Sequence, residues 1–386
     1  MTIRYVADSG DLAAVEAALG GVDRIALDCE AAGYHRYSDR ICLIQITAGA
    51  ETFLVDPLST DPGPVLRPVL EDSSIEVVMH GADFDIRLLD RDLDIRLEGL
   101  FDTQIAASLL GITTLGLQGL LEERLGVSVS KQYQRADWAQ RPLPEPMKEY
   151  AAYDTMHLHR LADELARELT DRDRIEWARE EFLVLEKVRF EDRTEEDPVR
   201  RIRAARDLAP RELARLREAL RWRDGIARER DRALFRVVGD GPLVEVARRN
   251  PRDLRALSDV QGLSGALAAA HGEGLLSRFH EMEGRAETDL EAYPRNETNG
   301  AGSGGRPPPE VESRMARLKQ VRNARASSLG IDRGTLLSNA ILLVLAEAPP
   351  ANLEELEQVE GLRRWQAELL GEELLQTLED TMGSGD

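Results

Sequence analysis

A chain of 386 residues has room for two or three domains, each with its own core. Its 42% hydrophobic and 31% charged residues are ordinary for a globular protein, no apolar run approaches the roughly 18–20 residues of a membrane span, and the N-terminus lacks signal-peptide anatomy, so a cytoplasmic protein with no membrane partner is expected. A net charge of −21 argues against nucleic acid until its distribution is read: Arg200–Ala256 carries 17 Arg against 9 Asp and Glu, and phosphate feels charge only within roughly 8–10 Å.

Arg4–Val6 reads as a short strand, and Leu12–Leu19 as a helix stopped by Gly20 and Gly21. Arg24–Glu30 reads as a strand with Ile25, Leu27 and Cys29 on one face and Asp28 and Glu30 on the other, the two carboxylates about 7 Å apart along the chain. Like charges side by side on a sheet repel unless a cation sits between them, and oxygen-only ligands suit Mg²⁺ or Mn²⁺ better than zinc. A solvated strand end is the plainer explanation unless other carboxylates converge on the pair. Arg40–Thr47 and Glu51–Asp56 form a hairpin across Ala48–Ala50, which puts the carboxylate strand at or next to the edge of an antiparallel meander. Cys29 and Cys42, the only cysteines, fall in these apolar patterns and read as reduced core thiols.

A helix over Pro64–Glu71 precedes Ile75–His80, whose near-continuous apolar run predicts a buried strand. In the following helix Ala82, Asp85, Ile86, Leu89 and Leu93 share a face, so Asp85 lies in the apolar stripe while Asp83 and Asp90 point elsewhere. Asp102 caps a helix that starts near Thr103. Lys131–Leu143 is too polar for core and too aromatic for a linker. Periodicity over Glu145–Thr170 predicts one long helix, with Asp154 where an apolar residue belongs and Tyr150 one turn earlier on the same face. A buried carboxylate there must be neutralised, by an arginine or a metal. His157 and His159 diverge on that helix and make no metal pair. His80 is open to a substrate contact or a structural role, and Tyr37 and His35, in the polar loop after Glu30, are candidates to stack on a base. A helix over Arg172–Phe190 closes the domain, and Glu191–Pro198 is a charged linker.

Beyond the linker the chain repeats. Ala247, Pro251, Leu254, Leu257, Val260, Gly262 and Leu263 recur 99 residues later as Ala346, Pro350, Leu353, Leu356, Val359, Gly361 and Leu362. Helical spacing aligns leucines by chance but not proline and glycine in the same register, so two copies of one small helical module are expected. The first is basic, with Arg215, Arg223 and Arg230 as candidates for its exposed, phosphate-binding side and Trp222 as core. The second is acidic: residues 310–386 hold 8 Lys and Arg against 14 Asp and Glu. The expected division is a first domain over 1–190, a helical module over 206–285, a Gly/Ser- and Pro-containing linker over 286–309 and a second module over 310–383.

In this order and context Asp28 with Glu30, Asp85, and Tyr150 with Asp154 resemble the three exonuclease motifs of the DnaQ-like 3′–5′ exonucleases, in the branch with Tyr in the third motif. His80–Ile86, Phe101-Asp102-Thr103, Gln134–Trp138 and Arg141-Pro142-Leu143 are similar to ribonuclease D, as is the doubled module, which resembles the helicase-and-ribonuclease-D C-terminal (HRDC) domain. The resemblance covers nearly the whole chain. It implies a ribonuclease H-like α/β domain, a mixed sheet flanked by helices, followed by two small all-α modules. It implies that Asp28, Glu30, Asp85 and Asp154 hold two divalent metal ions, Mg²⁺ or Mn²⁺, and that Tyr150 positions the attacking water. The implied activity trims RNA 3′ ends such as those of tRNA precursors, releasing nucleoside 5′-monophosphates; a monomer is expected. Tyr37, His80 and the three arginines are the expected substrate contacts. Two other readings stand beside this one. A 3′–5′ DNA exonuclease remains because residues alone do not tell a 2′-hydroxyl reader from a deoxyribose reader. A non-catalytic nucleic-acid-binding adaptor is disfavoured by the complete carboxylate set.

Overall fold

Polar and apolar residues alternate from Leu27 to Glu30, and the sheet that strand joins is what positions the carboxylates. The computed structural model describes residues 2–130, 132–192, 196–294 and 307–382. Residues 295–306 of the expected 286–309 linker and residues 193–195 of the Glu191–Pro198 linker lie outside the described residues. Strands β1 (Thr2–Val6), β2 (Arg24–Ala31), β3 (Ile41–Ala48), β4 (Glu51–Val55), β5 (Glu76–Met79) and β6 (Leu100–Asp102) form one mixed sheet in the order β1-β4-β3-β2-β5-β6. β2, β3 and β4 are the expected meander, with β2 at its edge. β5 then adds in parallel to the free side of β2, and β6 to β5. The carboxylate strand is therefore interior to the sheet, because a crossover returns the chain beside it. Every residue of β3 is buried, as a strand covered on both faces requires.

Around the sheet lie α1 (Leu12–Leu19), α2 (Gly63–Leu70), α3 (Asp83–Leu93), α4 (Thr103–Leu109), α5 (Leu117–Leu125), α6 (Glu145–Met156), α7 (Leu158–Asp171) and α8 (Ile175–Leu185). The single helix expected over Glu145–Thr170 is thus two, α6 and α7, meeting at His157 with φ −111° and ψ −2°. No proline or glycine marks the break. Packing divides the two: Met147, Tyr150 and Ala151 of α6 join Cys42, Leu43 and Leu54 of the sheet, whereas Leu158, Leu161 and Leu165 of α7 join the larger core. Asp102 ends β6 and caps α4, accepting the N–H of Gln104 (2.8 Å) and Ile105 (3.1 Å). It also accepts the N–H of Gly81 (3.1 Å) and Ala82 (2.8 Å), so one fully buried carboxylate ties α4 to the β5–α3 turn. Gly81 makes that turn at φ +69°, which a side chain would strain.

The first helical module is built from α9 (Pro210–Glu229) and helices Asp240–Arg249 and Gly265–Glu283, around Leu216, Leu220, Trp222, Leu243, Leu275 and Phe279. Residues before 295 that were expected in the linker belong to it: the Glu291 and Ala292 carbonyls accept from Arg217 at 2.7 and 3.1 Å. The second module is built from Pro309–Leu329, Asn339–Glu347 and Arg364–Met382. Its Leu318, Leu345, Leu370 and Leu374 share one contiguous core with the first domain. Trp365 stacks on Trp177 of α8, ring centroids 4.6 Å apart and planes 15° apart. Glu180 and Glu181 of α8 accept from Arg363 Nε (3.0 Å), the backbone N–H of Arg364 (2.6 Å) and Trp365 Nε1 (3.1 Å). The first module keeps a separate core and meets the first domain at the Tyr34–Tyr37 loop.

Candidate active site

β2 presents Asp28 and Glu30 and α6 presents Asp154, so that a carboxylate oxygen of each lies within 4.8 Å of the others. Asp85 enters from the first turn of α3 and is 7% exposed. Asp83 instead faces solvent and pairs with Arg87 at 3.0 Å, and Asp90 accepts the N–H of Phe190 at 2.8 Å. Among the described residues no arginine or lysine pairs with any of the four inward carboxylates. Burial pushes the Asp28 carboxyl up to about 7. Burial and the neighbouring Asp28 charge push Asp154 up to about 8. Burial, then the adjacent carboxylates, drives Glu30 and Asp85 well above the usual range; the Cys29 backbone N–H only partly relieves Asp28 and Asp85. Four mutually repelling oxygen donors without a counter-charge fit hard divalent cations.

Tyr150 lies one turn before Asp154 and is 6% exposed. Burial first, and then the Asp154 charge, raise its hydroxyl above the ordinary value, so it keeps its proton. Its ring rests against Tyr133 (5.9 Å between centroids) and Trp138 (6.1 Å). Those two come from the polar, aromatic stretch before α6, which Arg141 pins by donating to Asp56 (2.6 and 2.8 Å) and to the Cys42 carbonyl (2.7 Å). Burial would raise Asp56, but Arg141 and the Tyr5 hydroxyl together hold it below its usual value. That stretch is the wall behind Tyr150.

Gln45 is the residue that pattern reading passed over. It stands opposite Asp28 in the β2–β3 register, hence on the same face, and is fully buried. Neither of its amide atoms has a partner among the described residues. A lone glutamine inside the apolar run Ile41–Thr47 was the available signal.

The expected substrate contacts separate. His80 bonds through Nδ1 to the Thr103 hydroxyl (2.9 Å) and burial lowers its pKa, a neutral link between β5 and α4. Tyr37 does not project freely: its hydroxyl donates to Asp224 (2.9 Å) and accepts from Arg228 (3.0 Å), whose guanidinium lies 5.3 Å from the ring centre. Arg215 and Arg223 are not on an exposed side. Each is buried, Arg215 donating to the Ala247 carbonyl (2.7 Å) and Arg223 to the Val238 carbonyl (3.1 Å) and Asp240 (2.7 Å). Their aliphatic stems pack in the core while the guanidinium satisfies carbonyls. Only Arg230 is at the surface, against His271 (2.7 Å). The 99-residue register carried the warning: Arg322 of the acidic copy donates to Leu337 (3.1 Å) and Asn339 (2.8 Å), the counterparts of Val238 and Asp240. An arginine kept in both copies serves the fold.

Comparison with known proteins agrees with this geometry. Residues 3–170 match the family model of 3′–5′ exonuclease domains, and residues 212–278 and 311–378 each match the HRDC domain. The chain is 36% identical to a ribonuclease D of Xanthomonas oryzae over 61% of its own length and 65% of that protein's, just under two thirds. It is 32% identical to a ribonuclease D of Cronobacter turicensis over 69% of this chain and 72% of that one. The crystal structure of Escherichia coli RNase D superposes with a TM-score of 0.72 at 29% identity, covering 98% of this chain and 99% of that chain.

Proposed function

The chain belongs to the ribonuclease D family, and from that premise we propose that it is a divalent-metal-dependent 3′–5′ exoribonuclease that shortens RNA one nucleotide at a time and releases nucleoside 5′-monophosphates. The observation that carries the reading is the convergence of Asp28, Glu30, Asp85 and Asp154, with which no arginine or lysine pairs among the described residues. Two divalent ions bound there would supply a water of lowered pKa and a stabilised leaving 3′ oxygen. Asp28, Glu30 and Asp154 would hold them, with Asp85 completing the set from α3. Tyr150, which keeps its proton, orients the attacking water by a hydrogen bond and does not act as its base. Tyr133 and Trp138 fix the ring that does so. The E. coli structure is described as that of an exoribonuclease involved in structured RNA processing, which supports structured RNAs, tRNA precursors among them, as the substrate class here.

Matched RNA and DNA oligonucleotides with 3′-hydroxyl or 3′-phosphate ends, with Mg²⁺ or Mn²⁺, test the reading. Stepwise shortening of the RNA from a 3′-hydroxyl is expected, and a preference for DNA would move the assignment to a DNA exonuclease. Asp154→Asn and Asp85→Asn should each abolish shortening and weaken metal binding by calorimetry, whereas Asp83→Asn should do neither. Near-native turnover in Asp154→Asn would remove the metal assignment.

A further inference from the structure

The loop after Glu30 carries two tyrosines with different fates. Tyr37 is committed to α9, whereas Tyr34 is 39% exposed and lies 5.3 Å, centroid to centroid, from Phe235 of the first module, itself 53% exposed. Aromatic residues that only glue two domains together give up their water; these two keep it. Two guanidiniums flank them. Arg236 lies 4.8 Å from the Tyr34 centroid and 5.9 Å from that of Phe235, and Arg135 lies 5.6 Å from Tyr34. Arg236 bonds to the Tyr34 carbonyl (2.7 Å) and the His35 ring (3.5 Å), and among the described residues neither guanidinium meets a carboxylate.

Their place in the fold matters as much. Tyr34 follows Glu30 by four residues, so its backbone lies within about 14 Å of that carboxylate's. Arg135 sits next to the segment that presents Tyr133 to Tyr150. The repeat supplies an independent argument: the second copy has Gly334 and Thr335 in the register of Phe235 and Arg236, although it keeps Arg322 in that of Arg223. The ring and the cation are private to the copy that meets the Tyr34–Tyr37 loop.

We propose that Tyr34 and Phe235, flanked by Arg135 and Arg236, form a stacking subsite for bases of single-stranded RNA a few nucleotides 5′ of the terminal one. The inference rests on the exoribonuclease reading and deepens it. The rings offer stacking surface to any base, Phe235 more than Tyr34, over which both guanidiniums lie, and guanidiniums without carboxylates take the phosphates between. A duplex end cannot spread its bases onto the rings, so the subsite selects unpaired 3′ tails.

The test is binding of a labelled RNA dodecamer and a trinucleotide to the full chain carrying Asp28→Asn, read by fluorescence anisotropy against salt. Tyr34→Ala and Phe235→Ala should each weaken the dodecamer about tenfold, within the range for loss of one base–aromatic stack, and leave the trinucleotide alone. Tyr34→Trp and Phe235→Trp should restore the affinity. Arg135→Ala should flatten the salt slope by about 0.7, one phosphate contact. Unchanged dodecamer affinity, an equal loss for the trinucleotide, or failure of tryptophan to rescue would each overturn the subsite. Hydrolysis by the chain with Asp28 intact is scored separately, so an inactive enzyme would count against the functional reading without deciding this one.

Discussion

The two copies of the helical module share a fold and a register yet are held to the exonuclease domain in opposite ways. The second is fused to it, with a common core and Trp365 stacked on Trp177. The first keeps its own core and holds one loop through half-exposed polar contacts, Tyr37 with Asp224 and Arg228, and Arg36 with Asp231. Contacts of that second kind contribute about 0.5–1.5 kcal/mol each, against several for a buried tryptophan. Charge divides the same way, with the positive excess on the loosely held copy. Duplication has kept the interior of the module and changed its surfaces, leaving one copy as scaffold and one held at the loop that follows the carboxylate strand.

The largest test of that contrast is Trp365→Ala. It should cost about 3–5 kcal/mol of stability in urea, and the loss should appear in the exonuclease domain's own transition. An exonuclease transition that stays in place would mean both copies are loosely attached. It also follows that cutting the chain after residue 309 is a poor probe of RNA binding, since it strips cover from α8.

Metal and pH sharpen the contrast next. Calorimetry should resolve one transition for the exonuclease domain with the second module and another for the first. Only the former should rise with Mg²⁺ or Mn²⁺, by about 2.7 kcal/mol at a hundredfold excess over Kd. Without metal, Asp28 and Asp154 titrate at about 7 and about 8 in the fold, above the ordinary carboxylate range of the unfolded chain. The folded state therefore binds more protons between about pH 4 and 8, and stability falls as pH rises through that window. Asp28→Asn should flatten the decline; a metal-free stability that instead climbs across the window would contradict the buried-carboxylate description.

Tyr37→Phe should give the smallest effect. Loss of the hydroxyl's two contacts should shift the first module's transition by about 1 kcal/mol and leave metal affinity unchanged. A shift as large as that of Trp365→Ala would erase the difference between the two attachments.

The carboxylate site was legible because each member breaks a local rule. Asp28 and Glu30 share a strand face, and Asp85 and Asp154 interrupt apolar helical stripes. What pattern reading missed depends on partners distant in sequence. The break at His157 is decided by two different packing surfaces. The crossover that places β5 beside β2 is invisible to hairpin signals. Arg223 looks like an exposed cation until Val238 and Asp240 are folded against it. Tyr37 looked free for the same reason, its partners lying nearly two hundred residues downstream.

The stack of Trp365 on Trp177 also sets a clock on synthesis. Trp177 and the Glu180–Glu181 pair leave the ribosome nearly two hundred residues before the tryptophan that covers them. At roughly 5–20 residues per second, the Trp177 flank of α8 waits on the order of 10 to 40 seconds uncovered, although Phe182 on its inner side already packs on Phe101. The exonuclease domain is translated early but finished late, because the cover for that flank is encoded at the far end of the chain.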